Sequence, residues 1–276
     1  MSKSYPRAKK RFGQNFLEDR GFIQDIVRAC DLDFKTAVLE IGPGLGALSD
    51  QIIPKIGSYT ALEIDRDLHV KLQKKWVSNS KINILLQDAL EVDWPVLIQN
   101  ILNSHDLEQK IQKIKIIGNL PYNIATVLIF NLLPHLIPVE SCVFMLQKEV
   151  VDRMVAFPNS KDYGRLSIVL QYCCEVRQLF DVPPEAFYPA PKVMSSVVEI
   201  RPYPNLRHPD YPIVDPEKLG DLVKIAFSMR RKTIANNFKP YLNLSDFENL
   251  NLDPKLRAEN LSILDFIKIV GYLEAK

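Results

Sequence analysis

The strongest constraint on this chain is a recurring pattern in which a short β-branched run ends in glycine or polar residues and a helical stretch follows. Ala37-Val38-Leu39-Glu40-Ile41 reads as a strand that runs into Gly42-Pro43-Gly44-Leu45-Gly46, after which Ala47 to Ile53 has helical spacing. A strand, a glycine turn and a helix form the first unit of a doubly wound α/β sheet. Tyr59 to Asp65 is a second such strand, Ile82 to Ala89 a third that finishes at Asp88, and Ile114 to Gly118 a fourth. The fourth delivers Asn119-Leu120-Pro121-Tyr122, and the apolar run Ile124 to Phe130 then begins a helix. In open α/β sheets ligands bind beyond the carboxyl ends of the strands, so these strand ends define one candidate pocket.

Further along, residues 92–113 read as one amphipathic helix, Ser141 to Lys148 as a fifth strand and Glu149 to Phe157 as a helix. Leu166 to Phe180 reads as a long β-like segment, Pro183 to Lys192 as a rigid loop, and Ser196 to Ile200 as the closing strand. Two strands joined without a crossover helix must be antiparallel. Pro202, Pro204, Pro209 and Pro212 mark a linker, and Glu217 to Lys276 reads as a few helices with no strand. This predicts a first domain over 1–203, whose residues 1–12 form a basic, mobile end, and a small helical domain over 204–276. Before the helical stretch from Arg20 to Cys30 lies Gly13-Gln14-Asn15-Phe16-Leu17, where spacing alone gives Asn15 a capping role.

With 276 residues, 47% of them hydrophobic and 25% charged, the chain can bury one large core and a small second one. A formal charge of +2 does not by itself indicate a nucleic-acid partner. Basic residues do cluster, with Lys9, Lys10 and Arg11 at the start and Arg230, Arg231 and Lys232 far along the chain; a solvated face explains such clusters equally well. Cys30, Cys142, Cys173 and Cys174 lie in apolar surroundings without metal-ligand spacing and read as reduced core residues, so no metal is expected. The basic start lacks a following apolar run, and no segment is long and apolar enough to span a bilayer, which predicts a cytoplasmic protein.

The glycine turn lets the backbone approach a bound molecule, and Glu63, about 20 residues further on, stands where a carboxylate accepts both ribose hydroxyls of a cofactor. Capping of the next helix by Glu63 or Asp65 is the alternative. Asp88 has two readings as well, accepting from an adenine amino group or capping its own turn. A dehydrogenase shares this plan but uses Gly-x-Gly-x-x-Gly around a pyrophosphate, whereas the spacing here is Gly42-x-Gly44-x-Gly46. That spacing and the Asn-Leu-Pro-Tyr edge favour S-adenosylmethionine, which has no phosphate. The amide oxygen of Asn119 and the carbonyl of Leu120 suit the two hydrogens of an exocyclic amine, Pro121 fixes the turn, and Tyr122 offers a stacking face. A plain strand-to-helix turn, with Asn119 as cap and Tyr122 in the core, is the structural alternative.

These motifs, in this order, resemble over nearly the whole chain the small-subunit rRNA adenine N6,N6-dimethyltransferases of the KsgA type. The resemblance is carried by residues 13–17, 40–46, 63–65, Asp88-Ala89, 119–124 and Tyr163-Gly164-Arg165-Leu166, and extends through Pro189-Ala190-Pro191-Lys192-Val193 and residues 227–232. It implies a class I S-adenosylmethionine-dependent methyltransferase fold, a Rossmann-like α/β sheet of seven strands with an antiparallel last strand, plus a small all-α C-terminal domain. It also implies dimethylation of two adjacent adenosines near the 3′ end of 16S rRNA in the 30S subunit, during ribosome biogenesis, by a monomer. In the family pattern Asn15 and Leu17 belong to a cofactor lid, and Gly42, Gly44, Glu63, Asp88 and Asn119 line the cofactor. Lys9, Lys10, Arg11, Arg230, Arg231 and Lys232 then read as RNA phosphate contacts. The rivals are a large-subunit rRNA adenine methyltransferase of the resistance type, a non-catalytic RNA-binding assembly or transcription factor on the same scaffold, and a nicotinamide-dependent dehydrogenase.

Overall fold

The computed structural model describes Lys9, residues 14–103 and residues 113–276. In chain order the strands and α-helices are β1 (Phe16–Leu17), α1 (Arg20–Ala29), β2 (Thr36–Ile41), α2 (Ser49–Ile52), β3 (Ser58–Glu63), α3 (Arg66–Lys75), β4 (Ile82–Leu86) and α4 (Trp94–Asn103). There follow β5 (Lys113–Asn119), α5 (Ala125–Leu132), β6 (Ser141–Gln147), α6 (Lys148–Met154), α7 (Arg165–Cys173), β7 (Cys174–Val182), β8 (Phe187–Tyr188) and β9 (Ser195–Pro202). The C-terminal part holds α8 (Pro216–Ala226), α9 (Ile234–Asn237), α10 (Leu244–Asn249) and α11 (Ile263–Ala275).

Seven strands form one sheet in the order β4-β3-β2-β5-β6-β9-β7. β2 pairs in parallel with both β3 and β5, and its end meets the end of β5 where Ile41 faces Gly118. Strand order reverses about β2, which makes the β2/β5 edge the crevice where such sheets bind ligands. β9 runs antiparallel to β6, the antiparallel last strand that the family resemblance implies. Its first residue therefore lies at the same edge as the last residues of the parallel strands: Ser195 faces Gln147, two residues beyond the Met145 that pairs with Asn119. β1 and β8 form a separate two-stranded ribbon, Phe16 opposite Tyr188 and Leu17 opposite Phe187.

The β2, β3 and β6 strands are buried almost throughout, which is why they read as continuous apolar runs rather than alternating ones. β5 carries the exception. Lys115 is 2% exposed, and its ammonium reaches the Cys30 and Asp31 carbonyls at 2.8 and 3.1 Å, a cation at the C-terminal end of α1 where the helix dipole favours one.

Three sequence readings are corrected. Leu166 to Phe180 is not one β segment: α7 occupies its first half and β7 the second. Leu166, Ser167, Ile168, Val169, Leu170 and Tyr172 are all buried, so most of α7 is covered and its unbroken run shows no helical period to distinguish it from a strand. Residues 92–113 are not a single helix, because α4 is only Trp94–Asn103 and the alternating Lys113-Ile114-Lys115-Ile116 already belongs to β5; residues 104–112 lie outside the described set. The helix after the glycine turn begins at Ser49 rather than Ala47 and is a single turn of four residues.

The chain divides into two compact units. One comprises the described residues of 1–151 with 177–201, and the other residues 152–176 with 202–276. Residues 152–176 thus cluster with the helical unit, although the proline linker suggested an uninterrupted first domain. Within that second unit α7 packs on α8, where a Cβ on Gly220 would meet Val169 at 3.8 Å.

Candidate active site

The edge between β2, β3 and β5 opens into a cleft with about 100 Å³ of free volume. Its lining includes Asn15, Leu17, Gly42, Gly44, Glu63 and all of Asn119, Leu120, Pro121 and Tyr122. Residues predicted from four separate stretches therefore meet in one place. No Lys, Arg or His lines the cleft among the described residues.

On the β2 side, Gly42, Gly44 and Gly46 all have left-handed backbone, with φ of 69°, 62° and 82°. At Gly44 space matters too, since an added Cβ would stand 3.3 Å from the Phe16 ring. Glu63, at the end of β3, is 3% exposed; its two oxygens accept from the Asp65 N–H at 2.8 Å and the Gly44 N–H at 3.2 Å. Burial nevertheless pushes its carboxyl up to about 7, against those two backbone donors. Asp65, not Glu63, caps α3, accepting from the Asp67 N–H at 3.0 Å.

Beneath the turn is a pair of buried polar contacts between residues far apart in the chain. The Glu40 carboxylate accepts from the Tyr59 hydroxyl at 2.6 Å and the Ser49 hydroxyl at 2.7 Å, which ties β2, β3 and α2 together behind the glycines. Burial raises Glu40 to about 7 as well.

On the β5 side, Asn119 Nδ2 donates to the Asn15 carbonyl at 3.0 Å. That bond uses one of the two amide N–H donors and fixes the side chain against the Asn15 backbone. Asn15 is not the cap of α1, a position held by Asp19, which accepts from the Gly21 and Phe22 N–H groups. The N–H groups of Ile124 and Ala125 both go to the Pro121 carbonyl at 3.2 Å, so the start of α5 does not use the Leu120 carbonyl. The Tyr122 ring is half-buried at the cleft, and its hydroxyl lies 2.7 Å from Ser195 Oγ.

Other predicted residues are placed elsewhere. Asp88 is not among the residues that line the cleft, and one of its carboxylate oxygens accepts from the Leu90 N–H at 2.9 Å. Lys9 is ion-paired, its ammonium 2.6 Å from both Asp65 and Asp67, with Gln14 joining Asp65 at 3.0 Å. Lys10 and Arg11 lie outside the described residues. In the second unit, Arg230 donates to the Lys161 carbonyl at 2.8 Å, while Arg231 and Lys232 are exposed. Ser195 and Glu40 went unassigned because each acts through a partner at least nine residues away, and no local pattern signals that.

Comparison with known proteins agrees with this geometry. The family model for ribosomal RNA adenine dimethylase matches residues 6–275. The chain is 43% identical to the ribosomal RNA small subunit methyltransferase A of Legionella pneumophila (strain Corby), covering 96% of this chain and 97% of that protein. It is 44% identical to the protein of the same name from Marinomonas sp., over 100% of this chain and 99% of the other. Among solved structures, a dimethyladenosine transferase from Plasmodium falciparum superposes with a TM-score of 0.75 at 25% identity, covering 92% of this chain and 95% of that one. The 23S rRNA methyltransferase ErmE shares the fold, with a TM-score of 0.66 at 21% identity over 94% of this chain and all of that one. With its sheet order, its strand-edge cleft and matches that span almost its full length, the chain belongs to the ribosomal RNA adenine dimethylase family.

Proposed function

We propose that this chain uses S-adenosylmethionine to dimethylate the N6 amino groups of two adjacent adenosines near the 3′ end of 16S rRNA, in the 30S subunit. The observation that carries the reading is the meeting of Asn119, Leu120, Pro121 and Tyr122 with Gly42, Gly44 and Glu63 in one cleft, with Asn119 held there by a bond from its amide N–H to the Asn15 carbonyl. The lining fits this cofactor. A buried carboxylate at Glu63 suits ribose hydroxyls, the positive-φ glycines leave room against the backbone, and the Gly42-x-Gly44-x-Gly46 spacing departs from the Gly-x-Gly-x-x-Gly that cradles a pyrophosphate. When bound, S-adenosylmethionine supplies an electrophilic methyl group on a sulfonium. Glu63, Gly42, Gly44, Asn15 and Leu17 hold it.

Asn119 Oδ1 and the Leu120 carbonyl accept the two hydrogens of the adenine amine and localise its lone pair on nitrogen. Neither group takes up a proton at neutral pH, so the proton leaves to water after transfer. Tyr122 stacks on the base, an interaction worth roughly 1–3 kcal/mol. An adenine within RNA must leave its stack to reach this cleft, which costs least in loops and single strands. Arg231 and Lys232 supply phosphate contacts that position the RNA without selecting its sequence.

The test is transfer of labelled methyl groups to small ribosomal subunits that lack adenine dimethylation, with large subunits and their naked RNA alongside. Dimethyladenosine in the small subunit alone supports the proposal. Label in large-subunit RNA assigns the chain to the resistance-type activity, and cofactor binding without transfer to either leaves an assembly factor.

A further inference from the structure

Ser195 is wholly buried, yet its hydroxyl partner is not a neighbouring strand. Side chains on a strand alternate between faces, and the adjacent Ser196 shows what the ordinary role looks like: its hydroxyl donates to the Phe180 carbonyl at 3.2 Å and accepts from Gln178 at 3.1 Å, tying β9 to β7. Ser195 instead meets the Tyr122 hydroxyl at 2.7 Å, beyond the end of the sheet and across 73 residues of sequence. The contact is possible because β9 runs backwards and starts at the cleft edge.

Resting on the function proposed above, we infer that Ser195 is a positioning residue that sets the tilt of the Tyr122 ring at the cleft. The hydroxyl lies on the ring's long axis, so anchoring it fixes where that axis points while the ring face stays open to a base. Burial pushes the Tyr122 phenol above its ordinary value, and the Ser195 hydrogen bond offsets this in part. The phenol is therefore neutral at working pH and acts through geometry rather than proton transfer. A ring free to swing on Cα–Cβ would present its face to the base for only part of the time.

The experiment is a double-mutant cycle with Ser195→Ala and Tyr122→Phe, neither of which removes the ring. Each single variant is expected to lower kcat roughly three- to tenfold, the range of one net hydrogen bond, with cofactor affinity unchanged. The double variant should be no slower than either single one. Losses that multiply in the double variant, or a loss confined to cofactor binding, would overturn the inference. A second readout does not depend on activity. With 13C-labelled tyrosine, the Cζ resonance of Tyr122, identified by its absence in Tyr122→Phe, should shift in Ser195→Ala, and an unmoved resonance would refute the tether. If the wild-type chain methylates no ribosomal RNA, the functional proposal fails, and the resonance alone decides whether Ser195 holds Tyr122.

Discussion

Replacing Gly118 by alanine tests whether the β2/β5 edge is as tight as it is drawn. A Cβ at that position would lie 2.7 Å from the Ile41 carbonyl oxygen and 2.9 Å from Leu120 Cδ2. Carbon rarely comes within about 3.3 Å of a carbonyl oxygen, so the shortfall is roughly 0.6 Å. The oxygen is backbone and belongs to the paired position Ile41 opposite Gly118, so it cannot swing aside as a flexible side-chain end could. The strands must part locally, and overpacking of this kind costs about 1–3 kcal/mol. For a chain of this size that corresponds to a fall in Tm of about 2–12 °C. Asn119 is the next residue and moves with the strand. Since a displacement near 1 Å can cost about a hundredfold in rate, methyl transfer should drop on the order of tenfold or more. Thermal unfolding and initial rates at saturating cofactor, measured where both proteins remain folded, give the two numbers. Gly220→Ala in α8 is the control: its Cβ would make only ordinary contacts at 3.7 Å, and it should gain about 0.5–1 kcal/mol. A Gly118→Ala protein with the wild-type rate and Tm would refute the reasoning.

Asn119→Ala should lower kcat roughly a hundredfold or more while cofactor affinity changes little, by the scale of oriented acceptors that act on transition-state charge; unchanged turnover would exclude the mechanism. Burial holds Glu63 at about 7 in the free protein, and ribose hydroxyls need its ionised form, so affinity for S-adenosylhomocysteine should fall as pH drops through that value; calorimetric titration at several pH values checks this, and Glu63→Gln should abolish the dependence. The same raised value means that the folded chain binds this proton more readily than the unfolded one, so the free protein should lose stability as pH rises from the ordinary carboxylate range towards about 7, as denaturant titrations would report. Because Arg230 is already engaged with Lys161, Arg231→Gln should flatten the salt dependence of RNA binding more than Arg230→Gln does; equal slopes would remove Arg231 as a phosphate contact.

What could be read from the sequence was whatever is encoded within one strand and its turn. Gly42, Gly44, Glu63 and the Asn119 to Tyr122 stretch announced themselves because each follows a β-branched run, and sheet topology alone brings such ends together. The donor end of Asn119 was not legible, since its partner is a backbone carbonyl 104 residues away that any residue type could provide. Gly118 looked like one more strand residue, because nothing local marks the closeness of Ile41. The ion pairs of Lys9 were hidden for a related reason: its charge suggested RNA, and the carboxylates that meet it lie 56 and 58 residues downstream. α7 failed on periodicity, because seven of its nine residues are buried.

The position of β9 bears on the order in which a growing chain can assemble this sheet. The last strand to be made is not added at the rim but enters between β6 and β7, both synthesised before it. Until it arrives, β6 and β7 each show an unpaired edge, and β7 has no neighbour in the sheet at all. Glu175, Arg177 and Asp181 along β7 place charge on that waiting edge, a pattern that discourages pairing with another chain. Since Ser195 opens the same strand, the tether on Tyr122 is also among the last contacts of this unit to form, so a nascent chain that already holds the glycine turn, Glu63 and Asn119 still lacks a settled aromatic wall.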